Sequence, residues 1–258
     1  MERWNRAVLR HLQGPLAVLL GIALSSFTVA GVADDGSKGG VARSAQHLFK
    51  TWNFDKQAVG ETPAGFSSHT VGAPLAGLWK VQPDPGAPTA PNILMQAAPC
   101  PEESCFHVLL VNDLVYEYPD VAVRLRLSEG AIGESSGWGG VVFGARGADN
   151  LYAVIVDLGV KKVEVIRVSN GKTTILGQAP VKRKKAAWHM LRVSRDTIIS
   201  KEYVEVSFNG EIVLSVEEKT LEPGQIGLMT WGGATMAFDN LHAAPLYSQQ
   251  PLSPPAAY

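Results

Sequence analysis

Seven side chains on predicted strands and turns could together bind a polar ligand: Arg124, Arg126, Trp138, Arg146, Tyr152, Asp157 and Trp231. Arginine and carboxylate groups form paired hydrogen bonds with hydroxyl groups, and the indole rings of Trp138 and Trp231 could stack on a pyranose ring. The same residue types also form salt bridges along a solvated sheet face, which antiparallel sheets usually have. The two interpretations differ in whether the side chains share a cleft.

The carboxylate pattern does not match that of a retaining glycosidase. Retaining hydrolysis needs two carboxyl groups about 5–5.5 Å apart, a separation that positions i and i+2 of one strand provide. The nearest pairs, Glu202 with Glu205 and Glu217 with Glu218, have the wrong parity or resemble solvated edge charges. Residues 133–137 match Gly-x-Ser-x-Gly, but that motif requires a strand-to-helix turn, and a β-rich run follows here. No catalytic residue is therefore assigned, and enzymatic activity stays open.

The histidine side chains show no catalytic or metal-ligand spacing. His189 shares strand parity with Leu191 and Val193, which predicts a half-buried structural residue rather than a general base. The others beyond the N-terminal segment are scattered singly: His47, His69, His107 and His242.

The N-terminal segment has the pattern of a secretory signal. Arg3, Arg6 and Arg10 precede an uncharged apolar run from Leu16 to Phe27, and small residues follow it. A run of this length is shorter than the roughly 20 residues that span a membrane. We therefore predict a signal peptide over residues 1–33 and a secreted or periplasmic protein that leaves the membrane after cleavage. An uncleaved membrane anchor is the alternative interpretation.

The two cysteines fit a local disulfide. Cys100 and Cys105 are separated by four residues, and an exported chain meets oxidising conditions. Two cysteines without nearby paired histidines make a poor zinc site. We expect a structural disulfide that closes a short loop.

The charge balance argues against a nucleic-acid partner. The chain has 23 Lys and Arg against 24 Asp and Glu, and residues 1–33 contain three of the Arg and one of the Glu, so the remainder carries a net charge of −3. Nucleic-acid binders normally carry a basic balance or a basic face. Nothing in the sequence indicates the oligomeric state.

The elements that position these side chains are predicted to be strands. Apolar residues alternate with polar ones from Val121 to Leu127, and about ten similar short runs follow. Asn170-Gly171 and Asn209-Gly210 each separate two such runs, as in two-residue β-hairpins. Residues 60–105 are rich in proline, which suits loops and edge strands. The sequence predicts an all-β, two-sheet antiparallel sandwich over residues 47–246, with a flexible linker over 34–46 and a proline-rich disordered tail over 247–258.

Short motifs in a fixed order carry a resemblance to a known superfamily. The order is Trp52-Asn53-Phe54-Asp55, Pro63-Ala64-Gly65-Phe66, Trp79-Lys80-Val81, Asn92–Gln96, Gly139–Phe143, Asp149–Tyr152, Trp188–Val193, Phe208-Asn209-Gly210, Gly227–Thr230 and Phe238-Asp239-Asn240. This order resembles the concanavalin A-like jelly rolls, and within them the bacterial 3-keto-disaccharide hydrolase domain family, kin to laminin G-like domains and family-sixteen glycoside hydrolases. The resemblance covers about residues 49–245.

The resemblance implies a sandwich with a concave face that is often used for sugar. It also implies a structural Ca²⁺ between the first and last strands, with Asp55 and Asp239 as carboxylate ligands, and no other cofactor. The Glu-x-Asp-x-x-Glu cluster of family-sixteen glycosidases is missing here.

Three functions fit the sequence. The first is an exported carbohydrate-recognition domain that binds a glycan or glycoside on the concave sheet face. The second is a hydrolase or lyase that acts on a 3-keto-disaccharide by elimination, which would need no paired glutamates. The third is an adhesion or assembly module at the cell surface. All three stay open because jelly rolls include lectins, enzymes and adhesion modules.

Overall fold

The computed structural model describes residues 46–74, 77–98, 100, 105–128, 137–183, 187–233 and 235–246. The predicted signal peptide, the linker up to residue 45, the tail and the Gly-x-Ser-x-Gly motif up to residue 136 lie outside these ranges. A single turn of 3₁₀-helix, Gln46–Leu48, precedes the strands. No helix in the described ranges is long and apolar enough to cross a membrane.

Fifteen strands make up the described chain. They are β1 (Lys50–Trp52), β2 (Phe66–Val71), β3 (Trp79–Pro83), β4 (Asn92–Gln96), β5 (Phe106–Val111), β6 (Pro119–Leu127), β7 (Gly137–Ala145), β8 (Leu151–Asp157), β9 (Lys162–Ser169), β10 (Lys172–Pro180), β11 (His189–Ile198), β12 (Lys201–Phe208), β13 (Glu211–Glu217), β14 (Gln225–Gly232) and β15 (Met236–Pro245).

The strands form two antiparallel sheets that pack as a sandwich. The eight-stranded sheet has the order β13-β12-β11-β6-β15-β4-β3, with β1 also paired to β15. The seven-stranded sheet has the order β10-β9-β8-β7-β14-β5-β2. This is the all-β jelly roll that the sequence predicts, and the prediction of the fold class is confirmed.

The main core lies between the two sheets. On β6, Val121, Val123 and Leu125 are at most 1% exposed, whereas the residues between them are only partly buried. The alternation predicted for this strand is therefore confirmed. Phe143 and Val154 from the seven-stranded sheet join the same cluster. Burial of each such side chain stabilises the fold by about 1.5–3 kcal/mol relative to leaving it exposed.

The seven-stranded sheet is apolar on its outer face as well. Phe106, Val142, Ile155, Ile166 and Met229 are buried there in a second cluster, separate from the main core. All seven residues of β8 are buried, so this strand lacks the polar face that antiparallel sheets usually present to solvent. The two sheets therefore differ in degree: the eight-stranded sheet has a partly polar outer face, whereas that of the seven-stranded sheet is mainly apolar and has Asp157 and the Lys162–Glu164 pair at the Trp138 end.

The Asn-Gly pairs form the predicted two-residue hairpin turns. Asn170 and Gly171 have φ angles of 49° and 74°, and they connect β9 to β10. Asn209 and Gly210 have φ angles of 52° and 86°, and they connect β12 to β13. Positive φ at both positions is what a type I′ turn requires, and Asn and Gly tolerate it.

Candidate functional site

The structure divides the predicted ligand-binding side chains between three places. Arg124 and Arg126 lie on β6 in the eight-stranded sheet. The other five belong to the seven-stranded sheet, where Arg146 and Tyr152 lie at one end and Trp138, Asp157 and Trp231 at the other. The span from Trp138 to Ala145 along β7 separates the two ends by about 23 Å. The seven residues do not form one site.

A cleft of about 320 Å³ lies at the end of the sandwich that holds Arg146 and Tyr152. We call it the end cleft. Its polar lining comes from the β7–β8 connection, the end of β9 and the segment before β14, and comprises Arg146, Asn150, Tyr152, Arg167, Ser169, Thr220 and Glu222. The end cleft thus brings together two of the seven predicted residues with others that sequence reasoning missed.

A hydrogen-bond network forms the floor of the end cleft. The Tyr152 hydroxyl lies 2.6 Å from Thr220 Oγ1, and Thr220 Oγ1 donates to Glu218 Oε1 at 2.6 Å. Arg167 Nη1 donates to Thr220 Oγ1 at 3.3 Å and lies 3.8 Å from Glu218 Oε1. The Tyr152 ring stacks on Phe143 in the core, which fixes its hydroxyl in place. The network holds Arg167 and Thr220 in fixed positions toward the cleft.

The rim of the end cleft carries an exposed ion pair. Arg146 and Glu222 contact each other, and their side chains are 61% and 53% exposed. Exposed pairs of this kind contribute only about 0–1 kcal/mol to stability, so a ligand can exchange with them at little cost. Asn150 beside them accepts a hydrogen bond from the backbone N–H of Asn170 at 3.1 Å, which joins the β7–β8 connection to the β9–β10 turn.

On the outer face of the eight-stranded sheet, Arg126 is already paired. Its Nη2 donates to Asp84 Oδ2 at 2.6 Å, and its guanidinium lies 4.7 Å from the centre of the Trp188 ring. Arg124 lies opposite Asp239 in the register with β15. For Arg126, this geometry favours the structural salt-bridge interpretation over an open ligand contact.

Asp239 is a fully buried carboxylate near Asp55. Its Oδ2 accepts from the Thr89 N–H and its Oδ1 from the Thr89 hydroxyl, both at 2.7 Å. Burial raises the pKa of Asp239, the Thr89 and Asn240 hydrogen bonds oppose that change, and the charge of Asp55 adds to the rise. Asp55 itself accepts hydrogen bonds from Asn53 and Asn92. The two predicted calcium ligands are therefore close enough to repel each other.

The tryptophans lie beside each other at the far end of the seven-stranded sheet. Trp138 and Trp231 are partners in the register between β7 and β14. Lys162 Nζ lies 5.1 Å from the centre of the Trp138 ring, and Trp231 packs edge-on against Phe106 with ring centres 6.4 Å apart. Asp157 accepts hydrogen bonds from the Gly159 and Val160 N–H groups at 2.7 and 3.0 Å. Its described hydrogen bonds therefore stabilise a turn.

The remaining sequence candidates have structural surroundings. His189 is 2% exposed, more buried than expected, and its ring stacks on Phe208. Glu202 accepts hydrogen bonds from Arg195 and Thr197. Glu218 accepts a hydrogen bond from Thr220, which lines the end cleft, whereas Glu217 pairs with Lys201 at the surface.

Cys100 and Cys105 form the predicted disulfide, with Cα atoms 5.5 Å apart. His107 lies beside it, with Nε2 3.5 Å from Cys100 Sγ. Burial lowers the pKa of His107, and a hydrogen bond to the Ala98 backbone opposes the change. The sequence placed His107 two residues from Cys105, but it gave no sign that the imidazole folds back onto the sulfurs.

Solved structures with a similar fold include several proteins named for carbohydrate. The carbohydrate-binding module CBM66 from Bacillus subtilis matches with a TM-score of 0.52 and 17% identity, over 73% of this chain and 99% of that chain. An endo-1,3-beta-glucanase from Streptomyces sioyaensis matches at 0.50 and 12% identity, over 76% of this chain and 96% of its own. The exoplasmic/lumenal domain of VIP36, in a Ca²⁺/Man2-bound form, matches at 0.52 and 11% identity, over 79% and 92%.

These similarities show a shared jelly-roll fold. The sequence matches no protein-family model and no curated protein. The resemblance to the 3-keto-disaccharide hydrolase family therefore stays a prediction.

Proposed function

We propose that this protein is a carbohydrate-binding domain that holds a glycan or glycoside in the end cleft. The observation that carries the proposal is the convergence of Arg146, Asn150, Arg167 and Glu222 around one solvent-open cleft of about 320 Å³. A cleft of this size with a few convergent polar groups is typical of small-ligand sites. The neighbours named for carbohydrate support the same class of ligand.

The chemistry of the end cleft suits hydroxyl groups. A sugar hydroxyl both donates and accepts, so it can receive hydrogen bonds from Arg146 and donate one to Glu222. Hydrogen bonds to charged groups contribute about 1.5–3 kcal/mol each. The Tyr152–Thr220–Glu218 network is formed without ligand, so binding does not need to order these side chains.

The sequence predicts glycan contact on the concave sheet face, whereas we place it at the end of the sandwich. The outer face of the seven-stranded sheet carries buried apolar residues such as Ile155, Ile166 and Met229. These side chains offer no hydrogen bonds to a sugar. The end cleft offers both donors and acceptors within the described residues, which supports the change of place.

The proposed location is extracytoplasmic, either secreted or periplasmic. The disulfide between Cys100 and Cys105 supports it, because such bonds persist in oxidising compartments. The signal pattern of residues 1–33 supports it independently. N-terminal sequencing of the exported protein tests the assignment: a start near residue 31 or 34 is expected, and an intact N-terminus contradicts it.

Glycan arrays followed by calorimetric titration test the binding proposal. We expect the wild type to bind at least one oligosaccharide class and Arg146→Ala to bind it about 10-fold to 100-fold more weakly, because one charge-assisted hydrogen bond is lost. Arg192→Ala is the matched control, since Arg192 pairs with Asp120 on the other sheet. The proposal fails if no glycan binds, or if Arg146→Ala and Arg192→Ala bind equally to the wild type.

A second candidate is a lyase or hydrolase of a 3-keto-disaccharide in the same cleft. The exposed carboxylate of Glu222 favours it, because abstraction of an acidic ring proton beside a carbonyl needs a base. Turnover of a 3-keto-disaccharide that Glu222→Gln abolishes, with binding retained, would support this activity. Binding without turnover would leave the protein as a binding domain.

A structural Ca²⁺ at Asp55 and Asp239 remains part of the proposal. The carboxylate ligands fit a hard cation. Asp239 Oδ1 already accepts two hydrogen bonds, from Thr89 and Asn240, whereas Asp239 Oδ2 and both Asp55 oxygens each accept one described hydrogen bond and keep a second lone pair for the metal. A cation between the two groups would also relieve the repulsion that contributes to the raised pKa of Asp239.

We expect CaCl2 to raise the Tm of the wild type and to leave that of Asp239→Asn unchanged. Asp120→Asn, on the outer face of the eight-stranded sheet, is the control and should respond like the wild type. An equal Tm with and without calcium in the wild type contradicts the proposed site.

A further inference from the structure

Three metal-ligating atoms converge at the Cys100–Cys105 disulfide. The two sulfurs and one ring nitrogen of His107 lie within 4.8 Å of one another, and all three residues are buried. His107 reaches the cysteines from the start of β5. The backbone N–H of Cys100 donates a hydrogen bond to the Gly232 carbonyl at 3.2 Å, which holds Cys100 in place. Two sulfurs and an imidazole are a typical donor set for zinc.

We propose that, once the disulfide is reduced, Cys100, Cys105 and His107 bind one Zn²⁺ ion through two thiolates and Nε2. The site is separate from the end cleft and does not depend on glycan binding. In the oxidised form, Cys100 and Cys105 are bonded to each other and offer no thiolates. Disulfide formation and zinc binding therefore exclude each other.

The distances agree with a tetrahedral zinc site. With Zn–S bonds of about 2.3 Å and Zn–N bonds of about 2.0–2.1 Å, a sulfur and a nitrogen ligand stand about 3.6 Å apart. Cys100 Sγ and His107 Nε2 are already 3.5 Å apart. The two sulfurs would have to separate to about 3.8 Å, which the breaking of their bond permits.

The imidazole is held as zinc-ligating histidines usually are. Thr70 Oγ1 lies 2.8 Å from His107 Nδ1, so the nitrogen that faces away from the sulfurs has a hydrogen-bond partner. Such outer partners fix the ring orientation and the tautomer of a metal ligand. Gly77 packs against the same ring, where a Cβ atom would come within 2.9 Å of Nδ1, so the ring has little room to turn.

Two buried oxygens without hydrogen-bond partners belong to residues that adjoin His107 or its neighbour Ala98. Thr230 lies directly opposite His107 in the β5–β14 register and is 1% exposed. Its Oγ1 has no hydrogen-bond partner within the described part of the chain, nor does Oε1 of the fully buried Gln96, whose amide donates to the Ala98 carbonyl. Buried oxygens of this kind usually have a partner. A water bound to zinc as the fourth ligand would supply hydrogen-bond donors beside them.

The redox step balances with a dithiol as reductant. Thiol–disulfide exchange transfers two electrons and two protons to the cystine, which yields two thiols and leaves the reductant as a disulfide. Zinc then displaces the two thiol protons. At His107 Nε2, the metal takes the place of the proton or of the hydrogen-bond partner. Reoxidation would expel the metal.

Cobalt titration of the full chain tests the proposal, because tetrahedral Co²⁺ with thiolate ligands has a distinctive visible and near-ultraviolet spectrum. The chain is reduced with a phosphine, freed of excess reductant under argon, and titrated with Co²⁺ and then Zn²⁺. We expect one equivalent of tetrahedral Co²⁺ in the reduced chain, its displacement by Zn²⁺, and no such spectrum in the oxidised chain. An equal spectrum in the oxidised chain, or none in a reduced chain with native circular dichroism, overturns the proposal.

Variants identify the ligands. We expect His107→Ala to bind Zn²⁺ at least about 100-fold more weakly, and Thr70→Val about 10-fold to 100-fold more weakly, since loss of an outer partner alone has that effect. His69→Ala, an exposed histidine on the neighbouring strand β2, is the control and should bind like the wild type. Should His107→Ala fail to fold, His107→Gln replaces it. Wild-type affinity in a folded His107 variant contradicts the proposed ligand set.

Discussion

The buried carboxylate of Asp239 makes the stability of the fold depend on pH. Its oxygens accept hydrogen bonds from Thr89 and Asn240, yet burial still raises its pKa above the ordinary value of 3.8. The folded chain therefore holds the Asp239 proton more tightly than the unfolded chain does. The stability that this group contributes is complete below pH 3.8 and is lost as the pH rises through the folded-state pKa.

The titration of Asp239 can be measured by unfolding at several pH values. In calcium-free buffer, we expect the free energy of unfolding of the wild type, relative to Asp239→Asn, to fall as the pH rises from about 4 and to level off above the folded-state pKa. Asp113→Asn, which changes an exposed carboxylate in a turn, is the matched control. Parallel curves for the wild type and Asp239→Asn would contradict the raised pKa.

Arg195 joins the strands to the segment that carries the end cleft. Its Nε donates to Glu202 at 2.8 Å, Nη1 to the Glu117 carbonyl at 2.8 Å and Nη2 to the Leu221 carbonyl at 3.0 Å. The side chain is 7% exposed. Because Leu221 follows Thr220 and precedes Glu222, this one guanidinium fixes a wall of the cleft from strand β11.

Arg195→Leu should therefore destabilise the chain and weaken ligand binding together. We expect a loss of about 3 kcal/mol in denaturant unfolding, because removal of one partner from a buried charge pair leaves the other groups unpaired. Arg192→Leu is the control on the same strand. The Arg192 side chain is 42% exposed, so loss of its pair with Asp120 should cost no more than about 1 kcal/mol. Equal losses for the two variants would show that Arg195 does not have this role.

The strands that follow simple rules were predictable from the sequence, and the others were not. The alternation on β6 was interpreted correctly because only one face of that strand lies in the core. The Asn-Gly pairs were interpreted correctly because a type I′ turn needs positive φ at both positions. β5 was missed because it is buried on both faces, so its apolar run shows no alternation. β2 lies in the proline-rich region that the sequence predicts as loops and edge strands, and it is an edge strand.

The end cleft was only half predictable for a related reason. Arg146 and Tyr152 stood out on their own strands, but Thr220 and Glu218 lie almost 70 residues further along the chain. Only the pairing order of the seven-stranded sheet brings these segments to one end of the sandwich. The meeting of His107 with the disulfide likewise depends on tertiary packing, which residue spacing does not reveal.

The two sheets of the whole molecule have different outer faces, and this difference determines where a polar ligand can bind. The eight-stranded sheet carries charges that already pair with each other, such as Arg126 with Asp84 and Arg192 with Asp120. The seven-stranded sheet buries apolar side chains on both of its faces. At the end cleft, the Arg146–Glu222 pair is exposed, so both side chains can leave each other for a ligand at little cost. The end cleft is therefore the place where we expect a polar ligand to bind.

Nuclear magnetic resonance can show whether a glycan binds in the end cleft. The full-length chain, uniformly labelled with ¹⁵N, would be titrated with the oligosaccharide that binds best. We expect the shifted amides to cluster at residues 144–152, 167–171 and 218–224, and the amides of β6 and of the Trp138 end to stay unchanged. Shifts that cluster instead around Arg124 and Arg126, or around Trp138 and Trp231, would contradict binding in the end cleft.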